Sequence, residues 1–480
     1  MGFTVEQLIP ALPEIVLLVG ASVVLLIDLF APGKDRSGTY LWSLIALAAT
    51  ALAVVYSFQG PQIVLGGHYL SDSLSLVLKL GMILGLAGVL LYGRGYLAAR
   101  NLLSGEFFTL SLFSLLGMMI IASGGSLLSL YLGLETLSLS LYALVGFDRR
   151  SVGSSEAAIK YFILGALASG MLLYGISILY GVTGTLNLSL LQGEISAVLT
   201  DAGEFAMLLG LGVVFVVVGA AFKLGAAPFH MWLPDIYEGS PTAVTNILAT
   251  VSKLAAIALV LRLFADGLQP LLLQWQPMMM MMAVLSLALG NIIAIAQTNI
   301  KRMLAYSAIS HMGFVLLGVM AGTAEGYSAS LFYMLTYALT GLAAFGMIMI
   351  LSREGFEADQ LDDYRGLARR SPVLALIMMV VMFSMAGVPP TVGFFAKLAV
   401  IQAVMAQGHV WIAIVAVLFS VIGAFYYLRM VKLMFFDEVE DPSPIVAAWD
   451  QRFVISLNGL AILFLGIFPG GLLAVCSQVF

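Results

Sequence analysis

The stretch LLGLGVVFVVVGAAFKLGAAPFHMWLPD, residues 208–235, is the most informative part of this chain about its fold class. It begins with an apolar run and then presents Lys223, which is followed by Gly225 and Pro228. About 20 apolar residues in a helix span the hydrocarbon layer of a membrane, so Lys223 is expected deep within a bilayer. Proline removes a backbone hydrogen bond and glycine lowers the cost of a bend. The stretch therefore predicts a membrane helix that is interrupted beside a buried charge.

The rest of the chain has the same character. Its 480 residues are 61% hydrophobic and only 10% charged, which is more apolar than the core of a water-soluble domain requires. Each apolar stretch is too long and too aliphatic for a barrel strand. We therefore predict an all-α polytopic membrane protein with no soluble domain and about 14 transmembrane helices, beginning near residues 9, 39, 71, 106, 126, 154, 204, 241, 277, 300, 325, 372, 410 and 451.

Several kinds of site are absent from the sequence. The first apolar stretch is preceded by Glu6 and no basic residue, so it is expected to be a retained helix rather than a cleaved signal. The single cysteine, Cys476, excludes a disulfide framework and an iron–sulfur cluster, which needs about four thiolates. No Walker loop, GxGxxG fingerprint or HExxH motif occurs. We expect no metal or redox cofactor on this chain.

Basic residues predict the orientation, because cytoplasmic loops retain lysine and arginine. Fifteen of the 21 fall in alternate loops, on the side opposite both termini: Lys34, Arg36, Arg94, Arg100, Arg149, Arg150, Lys301, Arg302, Arg353, Arg365, Arg369, Arg370, Arg429, Lys432 and Arg452. The other six lie inside predicted helices: Lys79, Lys160, Lys223, Lys253, Arg262 and Lys397. Both termini are therefore predicted to be periplasmic. Residues 181–203 form a basic-free periplasmic loop, and residues 353–371 form the largest cytoplasmic connection.

Three of the six intrahelical basic residues have structural explanations. A charge at the helix centre costs roughly 2.5 to 3.5 kcal/mol on insertion scales, so each demands one. Arg262 lies near the outer end of its helix and is expected to snorkel to the interface. Lys160 lies one turn beyond Glu156, the spacing of a helical ion pair, so an ion pair and a functional role stay equally open. Lys79, two turns from Asp72, is expected to pair or snorkel at least as readily as to serve transport, so a transport role stays open.

Lys223, Lys253 and Lys397 are harder to explain structurally, because they lie deep in their helices or beside a break. A lysine in a low-dielectric environment gives up its proton far more readily than one in water, so these residues are candidate proton carriers. Only one acidic residue, Glu135, lies comparably deep. A buried carboxylate needs a cation or a proton, and we expect one of the lysines to be its partner.

A second break predicts an internal repeat. The stretch SMAGVPPTVGFFAKLAV, residues 384–400, interrupts the twelfth predicted helix as residues 208–235 interrupt the seventh. Two units of five helices enter the membrane from opposite sides, because five is odd, and so form inverted repeats of helices 4–8 and 9–13. The repeat is expected to match Lys223 with Lys397 and Glu135 with His311. The predicted divisions are an N-terminal three-helix segment (1–104), two five-helix repeats (105–266 and 267–440) and a C-terminal helix (441–480).

Four stretches resemble a known family: FKLGAAPFHMWLPDIYEGSPTAV (222–244), QTNIKRMLAYSAISHMGF (297–314), YLGLETLSLSLYALVGF (131–147) and DDYRGLARRSP (362–372). They are similar to the antiporter-like membrane subunits of respiratory complex I, the proton-pumping NADH:quinone oxidoreductase. Related cation/proton antiporter subunits share the first two motifs. The family's subunit M is expected to carry a glutamate where this chain has Lys397, so the lysine argues against that subunit.

The resemblance implies a proton-translocating unit in the bacterial inner membrane. Its proton-transfer residues would be Glu135, Lys223, Lys253 and Lys397, with His311 and Lys160 as secondary candidates. FMN, iron–sulfur clusters, NADH and quinone would be bound by other subunits. The implied partners are the lipid bilayer, subunits M and K as neighbours and the lateral helix of subunit L, with no nucleic acid.

Two other functions fit the same pattern of buried lysines. The first is a subunit of a multisubunit Na⁺/H⁺ antiporter, although sodium needs several oxygen ligands and the predicted midplane offers one carboxylate among lysines. The second is a secondary transporter in which broken helices bind an organic anion and the lysines neutralise it. A self-sufficient transporter would work as an isolated chain, whereas a complex I subunit would not.

Overall fold

The computed structural model describes residues 5–31, 36–200, 205–439, 443, 445 and 448–480. Lys34, one of the basic residues that predict the orientation, lies outside them. Thirteen helices in the described ranges are long and apolar enough to cross a membrane.

The N-terminal segment contains three of these helices. A 3₁₀ turn (Val5–Ala11) leads into α1 (Leu12–Leu29), which is followed by α2 (Ser37–Ser57) and α3 (Ser73–Ala99). Between α2 and α3 lies a small antiparallel hairpin of β1 (Gln62–Val64) and β2 (Tyr69–Ser71), joined by a 3₁₀ turn (Leu65–Gly67). Asp72 caps α3, because its side chain accepts a hydrogen bond from the Ser75 backbone N–H at 2.9 Å and the Ser75 hydroxyl accepts one from Asp72 in return.

The next helices form the first five-span unit. They are α4 (Gly105–Ala122), α5 (Leu127–Val145), α6 (Val152–Thr183), α7 (Leu188–Thr200), α8 (Phe205–Leu224), α9 (Trp232–Gly239), α10 (Thr242–Asn246) and α11 (Ser252–Leu261). Two π-helical turns, Ile247–Val251 and Arg262–Gly267, join α10 to α11 and extend α11, so that residues 242–267 act as one span. The short helix α7 lies in the basic-free connection.

The second unit follows in the same order. A 3₁₀ turn (Gln269–Leu271) precedes α12 (Leu272–Ile295), and then come α13 (Ile300–Met320), α14 (Ala324–Leu351), a 3₁₀ turn (Leu361–Tyr364), α15 (Leu367–Arg370), α16 (Pro372–Ala386), α17 (Val392–Ala406) and α18 (Val410–Phe435). The chain finishes with α19 (Trp449–Ile467) and α20 (Gly470–Ser477).

Both predicted interruptions are confirmed. Helix α8 ends at Leu224 and α16 ends at Ala386, and the next residue in each case is a glycine in the left-handed region: Gly225 with φ 76° and Gly387 with φ 85°. Glycine adopts this conformation without the steric cost that a Cβ brings. The 15-residue helices α16 and α17 together supply one interrupted span, which with the thirteen longer helices completes the predicted fourteen.

The same close contact between two helices occurs in each of the two units. Gly117 on α4 lies so near α5 that a Cβ added there would be 2.7 Å from the Gly133 carbonyl oxygen and 2.5 Å from the Leu137 nitrogen. Gly290 on α12 makes the same contact with α13. In both units the glycine faces residues sixteen and twenty positions further along the chain. The inverted repeats therefore begin with equivalent helix pairs.

This contact also shows which residues of α5 and α13 correspond to each other in the two repeats. Because Leu137 corresponds to Ser310, the residue that matches His311 is Ser138. Glu135 corresponds to Ala308 rather than to His311, so the predicted match of Glu135 with His311 is wrong by one turn.

Burial identifies the centre of the molecule. Nearly all residues of the spans Thr242–Gly267 and Ile300–Met320 are buried, whereas only a minority of the residues of Val410–Phe436 are. Lys253, Arg262 and Lys301 on these two spans are 1%, 2% and 4% exposed. Their partners must lie within the protein.

Candidate functional site

Lys223 ends the first half of the interrupted seventh span. Its ammonium donates a hydrogen bond to the Ser138 hydroxyl of α5 at 2.8 Å. The two groups line a cavity of about 20 Å³ together with Tyr161, Trp232 and Ser252. A cavity of this size holds about one water molecule, and the polar groups in its wall could bind it.

Glu135 does not form the expected ion pair. Within the described ranges no carboxylate oxygen lies within 4.0 Å of the Lys223 ammonium, and the buried Oε1 atom of Glu135 has no hydrogen-bond partner. The lysine side chain instead reaches Ser138, three residues further along α5.

Lys253 reaches the same break from a neighbouring helix. From α11, its ammonium donates a hydrogen bond to the Leu224 carbonyl oxygen at 2.6 Å and lies 5.2 Å from the centroid of the Trp232 ring. The side chain is buried, with 1% of the residue exposed. The last carbonyls of α8 lack helical donors and form the negative end of its dipole, which favours a cation there.

Lys397 makes the equivalent contact at the second break. Its ammonium donates to the Ala386 carbonyl oxygen at 2.7 Å and to the Ser420 hydroxyl of α18 at 2.8 Å. Ala386 immediately precedes the left-handed Gly387, as Leu224 precedes Gly225.

The expected match of Lys223 with Lys397 is therefore wrong. Relative to the two glycines, Lys223 corresponds to Met385, and the lysine that occupies the place of Lys397 in space is Lys253. A lysine side chain is long enough to reach a helix end from the chain beyond the break or from an adjacent helix. Its position in the sequence does not reveal which.

His311 lies beside Lys397. Its Nδ1 is 2.7 Å from the Tyr333 hydroxyl and its Nε2 is 3.1 Å from the Tyr427 hydroxyl. The imidazole and Lys397 share the wall of a cavity of about 10 Å³ with polar side chains of α14, among them Thr340. A histidine with a hydroxyl at each nitrogen can accept a proton on one side and release it on the other.

Lys160 lies apart from these groups, in the wall of an open cleft. The predicted ion pair with Glu156 is confirmed at 2.8 Å, and a second carboxylate, that of Asp235, lies 2.7 Å from the same ammonium. Asp235 also binds Arg302 of α13 at 2.9 Å. These side chains line an open cleft of about 430 Å³, which we call the vestibule.

Arg262 does not snorkel. It is 2% exposed, and its guanidinium makes two hydrogen bonds of 2.7 Å to the Asp72 carboxylate, one of 2.8 Å to Asp266 and two, of 3.1 Å and 2.8 Å, to the Ala122 carbonyl oxygen. It joins α3, α4 and the end of the eighth span. Burial disfavours the Asp72 anion, but the guanidinium outweighs that effect and holds the pKa of Asp72 below its usual value.

Lys79 is a buried counter-ion, but its partner is not Asp72. Its ammonium lies 2.7 Å from the carboxylate of Glu14 in the first turn of α1 and donates to the Tyr69 hydroxyl at 2.8 Å. Glu14 is 8% exposed, so it is a second buried acidic residue that the sequence analysis missed. Asp72 is engaged by Arg262 instead.

The structure adds side chains that no sequence pattern singled out. Hydroxyl groups bind each candidate carrier in α8, α13 and α17: Ser138, Ser420, Tyr333 and Tyr427. Serine and tyrosine are common in apolar helices, so nothing in the sequence distinguishes these four. Trp232 and Asp235 belong to the same stretch as Lys223. Their polar groups lie next to the break in the sequence and could have identified both residues as site candidates.

Comparison with known proteins gives concordant results. Residues 124–423 match the family model described as NADH:quinone oxidoreductase/Mrp antiporter, TM. The chain is 55% identical to NADH-quinone oxidoreductase subunit N of Thiobacillus denitrificans, over 100% of this chain and 98% of the relative. It is similar to a chain of respiratory complex I from Thermus thermophilus, with TM-score 0.81, 33% identity and coverage of 97% and 99%. A chain of the Mrp complex from Dietzia has the same fold, with TM-score 0.84, 22% identity and coverage of 99% and 97%.

Proposed function

The chain belongs to the membrane-subunit family of NADH:quinone oxidoreductases and Mrp antiporters, and on that premise we propose that protons cross it along Glu135, Lys223, Lys253 and Lys397. It is a proton-translocating membrane subunit of NADH-quinone oxidoreductase, and its partners are other subunits of that complex. The proposal concerns the route.

The proposed route rests on the hydrogen-bond partners of the three lysine ammonium groups. In the described ranges none of the ammonium groups of Lys223, Lys253 and Lys397 has a carboxylate oxygen within 4.0 Å. Each is held by a hydroxyl or a backbone carbonyl. Neutral acceptors stabilise a buried ammonium less than a carboxylate does, so the proton can leave. Lys79, held by a carboxylate, lacks this property.

The two breaks connect proton movement to backbone structure. While Lys253 is protonated, its charge-assisted hydrogen bond stabilises the Leu224 carbonyl at the end of α8. A neutral amine donates more weakly, so passage of a proton changes the stability of the break. Lys397 acts in the same way on the Ala386 carbonyl, with His311 beside it as an intermediate carrier. Lys160 would supply protons at the vestibule.

The assembly proposed around this route follows the family. FMN, iron–sulfur clusters, NADH and quinone are bound by other subunits, and subunits M and K with the lateral helix of subunit L are the neighbours. The chain lies in a bacterial inner membrane with both termini in the periplasm, as its basic residues indicate. The inverted units comprise residues 105–266 and 267–440, between an N-terminal segment (1–104) and a C-terminal helix (441–480).

Full-length similarity to subunit N of NADH-quinone oxidoreductase favours this function over a Na⁺/H⁺ antiporter subunit. Sodium transport would also require several oxygen ligands at one point, whereas Lys223 and Lys253 place positive charges there.

The route is tested by Lys253→Met, which removes the charge and roughly preserves the side-chain length. We expect the assembled enzyme to lose most NADH-driven acidification of inverted membrane vesicles. The matched control is the double variant Lys79→Met/Glu14→Gln, which neutralises a buried ion pair outside the route and should pump at a rate close to the wild type. Near-normal pumping by Lys253→Met, normalised to assembled complex, would remove Lys253 from the route.

A further inference from the structure

Trp232, the first residue of α9, is packed among aromatic rings. Its ring stacks with that of Tyr161 on α6, with centroids 5.0 Å apart and planes at 19°, and with that of Phe222 on α8, at 5.4 Å and 28°. Its indole N–H donates to the Phe222 carbonyl oxygen at 3.1 Å. Trp232 therefore links the two halves of the interrupted span and joins both to α6.

The same residue lies at the boundary between two cavities. On α6, Lys160 lines the vestibule and the next residue, Tyr161, lines the small cavity of Lys223. On α9, Asp235 lines the vestibule and Trp232, one turn earlier, lines the Lys223 cavity. The Tyr161–Trp232 pair thus lies at the boundary between the open vestibule and the small cavity of Lys223.

We propose that Trp232 is a positioning residue that gates proton access from the vestibule to Lys223. The inference rests on the proposed function and adds a residue that the family resemblance did not supply. The stacked apolar rings exclude a continuous chain of water molecules between the two cavities. A proton reaches Lys223 when the stack rearranges and admits water.

Two further contacts place Trp232 where it can respond to the proton route. The Lys253 ammonium lies 5.2 Å from the centroid of its ring, a distance at which a cation is attracted to the face of an aromatic system. The Phe222 carbonyl that its N–H binds belongs to the last turn of α8, next to Lys223. Loss of the proton from Lys253 removes the cation–π attraction and loosens one contact of the stack.

The test uses the whole enzyme in inverted membrane vesicles and compares Trp232→Ala with Trp232→Phe. Alanine opens the boundary between the two cavities. Protons moved per NADH oxidised should fall at least about twofold, and the proton gradient should decay faster once NADH is exhausted, because water can fill the space. Phenylalanine keeps a ring in the boundary and should hold the ratio above that of the alanine variant.

Trp275→Ala is the matched control. Trp275 is also fully buried, its indole N–H donates to the Leu268 carbonyl at 2.9 Å, and it packs against Phe264, but it lines neither cavity. Its loss should lower the amount of assembled enzyme without changing protons per NADH. If Trp232→Ala does not assemble, Tyr161→Leu removes the stacking partner and carries the same expectation.

Three outcomes are distinguishable. A lower ratio and a faster decay in Trp232→Ala alone support the gate. Equal ratios and decay rates in Trp232→Ala and Trp275→Ala overturn it, even when both lose assembled enzyme. Absence of acidification by wild-type vesicles that oxidise NADH would count against the proposed function instead.

Discussion

Lys223→Arg separates a proton carrier from a structural counter-ion, because arginine keeps the charge but scarcely releases its proton. The ammonium of Lys223 is held by one hydroxyl, that of Ser138, with no carboxylate within 4.0 Å in the described ranges. A guanidinium at this position could donate to the same hydroxyl. The cavity around it, about 20 Å³, accommodates the larger head group only with small shifts of its neighbours.

The expected magnitude follows from the proton affinities of the two side chains. Arginine ordinarily holds its proton about 2 to 3 pKa units more tightly than lysine, which is about 3 to 4 kcal/mol. The deprotonated state that transfer requires is then populated about 100-fold to 1,000-fold less. We therefore expect assembled Lys223→Arg enzyme to lose nearly all proton pumping and the quinone reduction coupled to it.

The assay is NADH-driven acidification of inverted vesicles, normalised to assembled complex. Lys79→Arg is the control, because Lys79 is also a lysine within a span, with 3% of the residue exposed, but it is paired with Glu14, and an arginine preserves that pair. It should pump at a rate close to the wild type. Near-normal pumping by Lys223→Arg would exclude Lys223 as a proton carrier and leave it as a counter-ion only.

Three other predictions concern the surroundings of the route. Ser138→Ala removes the one hydroxyl that binds Lys223 among the described residues and should weaken its ammonium form by about 1 to 3 kcal/mol, lowering pumping several-fold while assembly persists; unchanged rates in the vesicle assay would exclude a positioning role. Arg262→Met leaves the Asp72 carboxylate without its cation and should destabilise the chain by about 3 to 5 kcal/mol, seen as a lower temperature of complex dissociation; an unchanged temperature would contradict the clamp. Because the pKa of Asp72 is lower in the folded chain, the ionised carboxylate contributes its full stability above about pH 4, and this contribution is lost as the pH falls through the folded pKa. Asp72→Asn should abolish that part of the acid sensitivity. The check is to compare the acid-induced dissociation of the complexes that contain the wild-type chain and the variant.

The membrane architecture could be read from the sequence because it depends on properties that lie along the chain. Apolar length sets the number of spans, and glycine and proline set where a span is interrupted, as at Gly225 and Gly387. The odd number of spans in each unit set the inversion. The ion pair of Lys160 with Glu156 was also local, because one helical turn separates the two residues.

Ion pairs between different helices could not be predicted from the sequence. From the sequence, Asp72 was the nearest candidate partner of Lys79 and Arg262 was expected to snorkel, whereas the folded chain brings Asp72 to Arg262 across 190 positions and Lys79 to Glu14 across α1 and α3. Nearness in sequence favoured the wrong partners. A buried cation pairs with whichever carboxylate the packing of helices delivers, and that packing involves residues far apart in the chain.

The membrane fold, the two interrupted spans and the identity of the lysines within the spans were predictable from the sequence, because burying a charge or breaking a helix in a bilayer leaves a signature in composition. What each lysine binds became visible only in the packed bundle. Lys253 and Lys397 occupy equivalent places at the two breaks, although they stand on different elements, because both reach the carbonyl before a left-handed glycine. A flexible side chain reaches its partner through space, and the distances between helices exist only once the bundle has packed.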